Sequence, residues 1–88
     1  MRFEWDARKA KANLRKHGVS FEEACTVFYD PNASLIFDVE HADSEDRFVL
    51  HGYSDKVRLL RVSHCYRHGD VVRIISARKA LFRDQLNA

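Results

Sequence analysis

Three segments in the second half of the chain alternate apolar and polar residues: 46–53, 57–66 and 71–77. Only Ser54-Asp55-Lys56 and His68-Gly69 separate them, and both connections carry turn-forming residues. Links this short leave no room for a crossover, so successive strands must run antiparallel. A three-stranded meander is therefore the frame into which the rest of the chain has to fit. Residues 2–5 read as a short strand with Phe3 and Trp5 on one face. Asp6 caps a helix that runs to His17, with Gly18 supplying the left-handed closing position. Ala7, Ala10 and Leu14 form its expected apolar stripe, while Arg8, Lys11 and Arg15 fall on another face.

Ser20 and Glu23 have the spacing of a capping box. Phe21, Ala24, Cys25 and Phe28 then repeat at helical spacing, so Cys25 reads as core rather than chemistry. Asp30-Pro31 ends this helix. Residues 34–38 read as a strand, 41–46 as a charged loop, and 78–86 as a short helix with Leu81, Phe82 and Leu86 available for packing. The order β-α-α-β-β-β-β-α implies an α+β fold: a small, mostly antiparallel sheet with helices packed on one side. At 88 residues the chain is expected to form one domain, 1–88, with one modest core. It contains no stretch near the ~20 apolar residues that span a bilayer, and its start lacks the apolar run of a signal peptide. Cys25 and Cys65 lack metal-type spacing, and a cytoplasmic protein with two reduced thiols is the expectation.

A net charge of +2 conceals three blocks. Residues 1–19 carry a balance of +4, residues 20–46 one of −8 with no Lys or Arg, and residues 47–88 one of +6. Polarised basic surfaces attract polyanions. The turns suggest a register in which His64 lies opposite Arg73, Val49 faces Arg61, Arg61 neighbours Ser76 and Leu59 neighbours Arg78. Alternation then places Phe48, Leu50, Leu60, Val62 and Ile75 on a core face, with His64 and Arg73 near one end. Arg47, His51, Arg61, Ser63, Ile74, Ser76 and Arg78 share the other face. A slip of one residue would exchange the faces.

Arginine's planar fork suits phosphate, and imidazole exchanges protons near neutral pH. Such a surface suits RNA cleavage by attack of a 2′-OH on the adjacent phosphate. That reaction needs a base, cations to hold extra negative charge, and an acid for the leaving 5′-oxygen. No metal is needed. Each positioned acid or base contributes roughly 10²–10⁴-fold, and charge stabilisation is often larger. A metal site is not expected from His64, Cys65 and His68, because neighbouring strand residues point to opposite faces.

Three ordered blocks, "WDARKAKANLRKHGVSFEEA" (5–24), "RFVLHG" (47–52) and "VRIISARKA" (72–80), resemble the BrnT toxin family. Asn13, Lys16-His17-Gly18, Phe21-Glu22-Glu23-Ala24 and Ile74-Ile75-Ser76-Ala77-Arg78 stand where the family pattern places them. The resemblance implies a RelE-like fold and the ribonuclease half of a bacterial type II toxin–antitoxin pair. It implies an RNA substrate and inhibited translation, and no cofactor is expected. It also implies a ribbon-helix-helix-type antitoxin (BrnA-like) whose complex with the toxin binds operator DNA and represses the operon. His64, Arg73 and Arg78 match basic positions of the family's last strands, whereas Arg61 and His51 come from the register argument alone. The family often has an apolar residue where this chain has Arg61. The expected catalytic set is His64, Arg61, Arg73 and Arg78, and the expected RNA-binding set is Lys16, His17, Arg47, His51 and Lys79. Arg78 and Lys79 would stand where strand gives way to helix, a position at which a bound phosphate offsets the unfavourable dipole. The competing reading is a non-catalytic RNA-binding or regulatory subunit of a protein complex.

Overall fold

The computed structural model describes residues 1–42, 45–81 and 84. Strand β1 (Arg2–Glu4) leads into helix α1 (Ala7–His17), then helix α2 (Phe21–Thr26) and a 3₁₀ turn (Val27–Tyr29). Strand β2 (Ser34–Phe37), a second 3₁₀ turn (Val39–His41) and strands β3 (Phe48–Tyr53), β4 (Leu59–Tyr66) and β5 (Val71–Lys79) follow. The five strands form one sheet in the order β1-β5-β4-β3-β2. The β2–β3, β3–β4 and β4–β5 pairings are antiparallel, as the short turns require. β1, however, joins β5 in parallel, which makes the sheet mixed.

Local chemistry accounts for the helices. Asp6 accepts hydrogen bonds from the Arg8 and Lys9 amides, and Gly18 closes α1 at φ 69° with its N–H on the Leu14 carbonyl. Ser20 Oγ accepts from the Glu23 amide at 3.0 Å, which is half of the expected capping box. The Glu23 carboxylate turns elsewhere: it receives Arg58 and the Ser54 hydroxyl, the latter at 2.6 Å. Glu23 is 4 % exposed, and the Arg58 hydrogen bond holds its carboxyl below the usual range against the opposing effect of burial.

The core lies between α2 with its flanks and one sheet face. Val19, Phe21, Ala24 and Val27 pack against Leu50, Leu60, Val62, Val72, Ile74 and Ala77. Cys25 packs against the core, and burial pushes its thiol up to about 11. Only Ala10 of the stripe expected on α1 packs against the core, and it is partly buried. Ala7 is exposed, Leu14 is 52 % exposed, and the buried residue is Asn13. Its amide donates to the Ala77 and Val19 carbonyls, and its carbonyl accepts from the Ala77 N–H. β1 pairs with β5 only at residues 71–73. Asn13 therefore satisfies a stretch of β5 backbone beyond β1's reach. Gly52 reflects another close approach: a Cβ there would stand 2.8 Å from the Ala33 Cβ.

The register differs from expectation in an instructive way. Tyr53 pairs with Leu59, so Val49 faces Ser63 and His51 faces Arg61. This is a shift of two, which leaves the faces unchanged. In β4–β5, the Arg67 N–H bonds the Val71 carbonyl, so the turn has three residues rather than two. That change alone exchanges the faces of β5 near the turn. Arg73 pairs with Cys65 rather than His64, and Ile74 enters the core in place of Ile75. A bulge opposite Ser63 and His64 then adds one residue and restores the expected faces for Ser76 and Arg78. The helix expected over 78–86 does not begin at Arg78, because Arg78 and Lys79 continue β5. Phe82 and Leu86 lie outside the described residues.

Candidate functional site

One sheet face carries the helices, and the other carries the basic residues. His51 on β3, Arg61 on β4 and Arg78 on β5 occupy one cross-strand row. The Arg61 guanidinium donates to His51 Nε2 at 3.0 Å. The other ring nitrogen, Nδ1, must then carry the proton; it is buried and has no protein partner among the described residues. Burial, and next the Arg61 charge, lowers the pKa of His51, so its ring is held neutral.

Two arginines directly opposite on neighbouring strands repel each other. Asp84 offsets this repulsion. Its carboxylate accepts from Arg78 Nη1 at 2.9 Å and from the Leu81 N–H at 2.7 Å, and lies 3.8 Å from Arg61. Burial raises its pKa, but the Arg78 hydrogen bond, the Leu81 amide and the two guanidinium charges outweigh this and bring it to about 2. A cavity of about 270 Å³ opens beside this row, lined by Asp38, His41, Arg47, Arg61, Ser76 and Arg78. Arg47 Nε is a second buried donor without a protein partner among the described residues. An orphaned donor in a cavity lined by arginine, as Arg47 Nε is, suits an anionic oxygen, because an unmade buried hydrogen bond costs about 1–3 kcal/mol.

The other residues expected from the sequence lie elsewhere. Arg73 reaches the open face, but Glu4 on β1 takes its guanidinium at 2.8 Å. His64 faces the helices and is fully buried among Phe28, Phe48 and Tyr66. Its Nδ1–H donates to the Val62 carbonyl, and its Nε2 accepts from the Tyr66 hydroxyl at 3.2 Å. Burial lowers its pKa, so it is a neutral, satisfied core residue, separated from the arginine row by the sheet itself. Lys79 pairs with Leu60 and so belongs to the face opposite Arg78. Lys16 and His17 end α1, on the helix layer. Cys65 is buried, and burial followed by the Glu45 charge raises its pKa, as befits an inert thiol. Among the described residues, no three His, Cys, Asp or Glu side chains converge on a point that could hold a metal ion, and no helix is long and apolar enough to cross a membrane.

Sequence reasoning missed Asp84, Asp38 and His41. Nothing local announces Asp84, which reaches Arg78 by folding back across a turn. Asp38 and His41 do carry a signal: their spacing of three matches one turn of helix, and their side chains meet at 2.9 Å.

The family comparison covers residues 5–84, which match the family described as "Ribonuclease toxin, BrnT, of type II toxin-antitoxin system". Among solved structures, the fold is similar to the crystal structure of the Brucella abortus ribonuclease toxin BrnT. The TM-score is 0.71 at 22% identity, over 92% of this chain and 97% of that one. A sequence comparison with curated proteins gives no match. With nearly its whole length matched, the chain belongs to the BrnT family of ribonuclease toxins of type II toxin–antitoxin systems.

Proposed function

We propose that this chain is a cytoplasmic endoribonuclease of RelE-like architecture that cleaves RNA without a metal and so inhibits translation. A ribbon-helix-helix-type antitoxin neutralises it, and the pair represses its own operon by binding operator DNA. The observation that carries the reading is the cross-strand row His51–Arg61–Arg78 beside a cavity that Arg47 also lines. Membership of a ribonuclease-toxin family supports it.

In this reading, Arg61 and Arg78 hold the scissile phosphate and the charge that grows on it in the transition state. Arg47 extends the grip to the same or the next phosphate, and His51 fixes Arg61 as a neutral acceptor. Arg73, Lys16 and Lys79 add positive potential around the site rather than contacts within it. His64 supports the fold beneath.

The test is cleavage of a labelled RNA by the purified chain in excess EDTA, beside Arg78→Ala. The expected result is cleavage by the parent and a loss of at least about 10²-fold in the variant, both measured at a temperature where circular dichroism shows the variant folded. Tight binding without cleavage by the parent would instead establish the non-catalytic RNA-binding subunit. The internal neutralisation of Arg78 by Asp84 is the feature that favours this second reading.

A further inference from the structure

The geometry points to His41 as the proton-transfer residue of this site, with Asp38 as the residue that positions it; the inference rests on the ribonuclease reading above. A histidine that serves as base for the 2′-OH needs a free ring nitrogen beside the phosphate-binding cations. His64 is enclosed in the core, with both nitrogens bonded. His51 has its Nε2 occupied by Arg61. His17 ends α1 on the helix layer, and His68 stands in the β4–β5 turn.

His41 alone among the five histidines lines the cavity that Arg47, Arg61 and Arg78 also line. Its Nδ1 meets the Asp38 carboxylate at 2.9 Å. A carboxylate can only accept, so Nδ1 carries a proton, and in the neutral ring the lone pair falls on Nε2. The two side chains differ in the way such a pair requires: Asp38 is 12% exposed and His41 61%. The carboxylate is anchored, and the ring that must meet substrate is accessible. Asp38 is itself held against β3, its N–H donating to the Arg47 carbonyl at 2.8 Å. One backbone contact thus ties the residue that orients the imidazole to a cation of the same cavity. A histidine oriented through Nδ1 by a carboxylate, with Nε2 left to work, is a recurrent proton-transfer arrangement.

The step balances without a co-reactant. His41 Nε2 takes the 2′-OH proton as the O2′–P bond forms. The P–O5′ bond then breaks, and its electron pair leaves on the 5′-oxygen, which takes a proton from water. The hydroxide so formed recovers the proton from the imidazolium. The products are a 2′,3′-cyclic phosphate and a 5′-hydroxyl end. Arg61 and Arg78 hold the charge on the phosphoryl oxygens throughout.

The test uses the purified chain, a short fluorescent RNA, and the same strand made with 2′-deoxyribose, which binds but cannot be cut. His41→Ala is expected to lose about 10²–10⁴-fold in single-turnover cleavage while binding the deoxy strand as the parent does. Added imidazole restores part of the rate to His41→Ala and none to Arg78→Ala. Asp38→Ala is expected to cleave about 10–100-fold more slowly with deoxy-strand affinity equal or tighter, a split that general loosening of the site does not produce. Cleavage by His41→Ala within threefold of the parent overturns the assignment, as does a loss of rate matched by an equal loss of binding. A parent chain that leaves RNA intact overturns the ribonuclease reading and this role together.

Discussion

The two faces of one sheet treat the same kinds of residue in opposite ways. On the helix face, His64 is sealed between Phe28 and Tyr66 and held neutral by burial. One residue earlier along β4, Ser63 stands on the open face beside a cavity lined by arginine. Strand alternation alone separates these environments. A histidine in such a chain therefore says little until its face is known: His64 supports packing, while His51 holds an arginine.

The comparison breaks most sharply if the arginine row is removed. Replacing Arg61 and Arg78 together by Ala, with Asp84→Asn so that no carboxylate is stranded, is expected to lower RNA cleavage by more than about 10³-fold at a temperature where circular dichroism shows the variant folded. If activity survives, the open face is not the site. His64→Ala is the reciprocal test on the helix face. It leaves a cavity among aromatic rings and strips the Tyr66 hydroxyl of its partner. Urea denaturation should show a loss of about 2–4 kcal/mol, with residual activity following the folded fraction.

A smaller effect sharpens the role of the helix layer. Glu23 has a folded pKa below its unfolded one. Its contribution is therefore fully present above about pH 4.3, the unfolded value, and is lost as pH falls through the folded value. Glu23→Gln should cost about 1–3 kcal/mol at pH 7 and flatten the dependence of stability on pH below 4.3. Equal slopes for parent and variant in urea melts across that range would exclude the role. The smallest effect belongs to the exposed stripe of α1. Leu14→Ser should change stability by less than about 0.5 kcal/mol, and Lys16→Ala should leave cleavage within about threefold at moderate salt.

Most of the architecture was legible because it rests on local chemistry. Asp6, Gly18 and Ser20 mark helix ends by side-chain and backbone geometry that any three or four residues reveal. The three consecutive strands follow from short turns between alternating runs. What stayed hidden depends on partners distant in sequence. Glu23 looked like half of a reciprocal cap, yet its carboxylate answers Arg58, 35 residues on. Asn13 looked like a polar residue beside a stripe, yet it is the one residue α1 buries, because Ala77 needs its amide. Arg78 was placed on the right face through two errors that cancel: one residue too few in the turn and one bulge unforeseen. Arg73 and Ile74, between the turn and the bulge, felt only the first. The site was half legible for the same reason. Alternation put His51, Arg61 and Arg78 on one face, whereas their meeting in one row needed the true register, and Asp84 reaches them by a contact that no period describes.

The parallel pairing of β1 with β5 has a consequence for the moment of synthesis. Glu4 is made before its ion-pair partner Arg73, which lies 69 positions downstream. β1 must wait for β5, and contacts of such span form late and slowly. Arg78 belongs to that same last strand, so a nascent chain holds no completed arginine row. The arginine row is completed only after β5 has been made and has paired with β4.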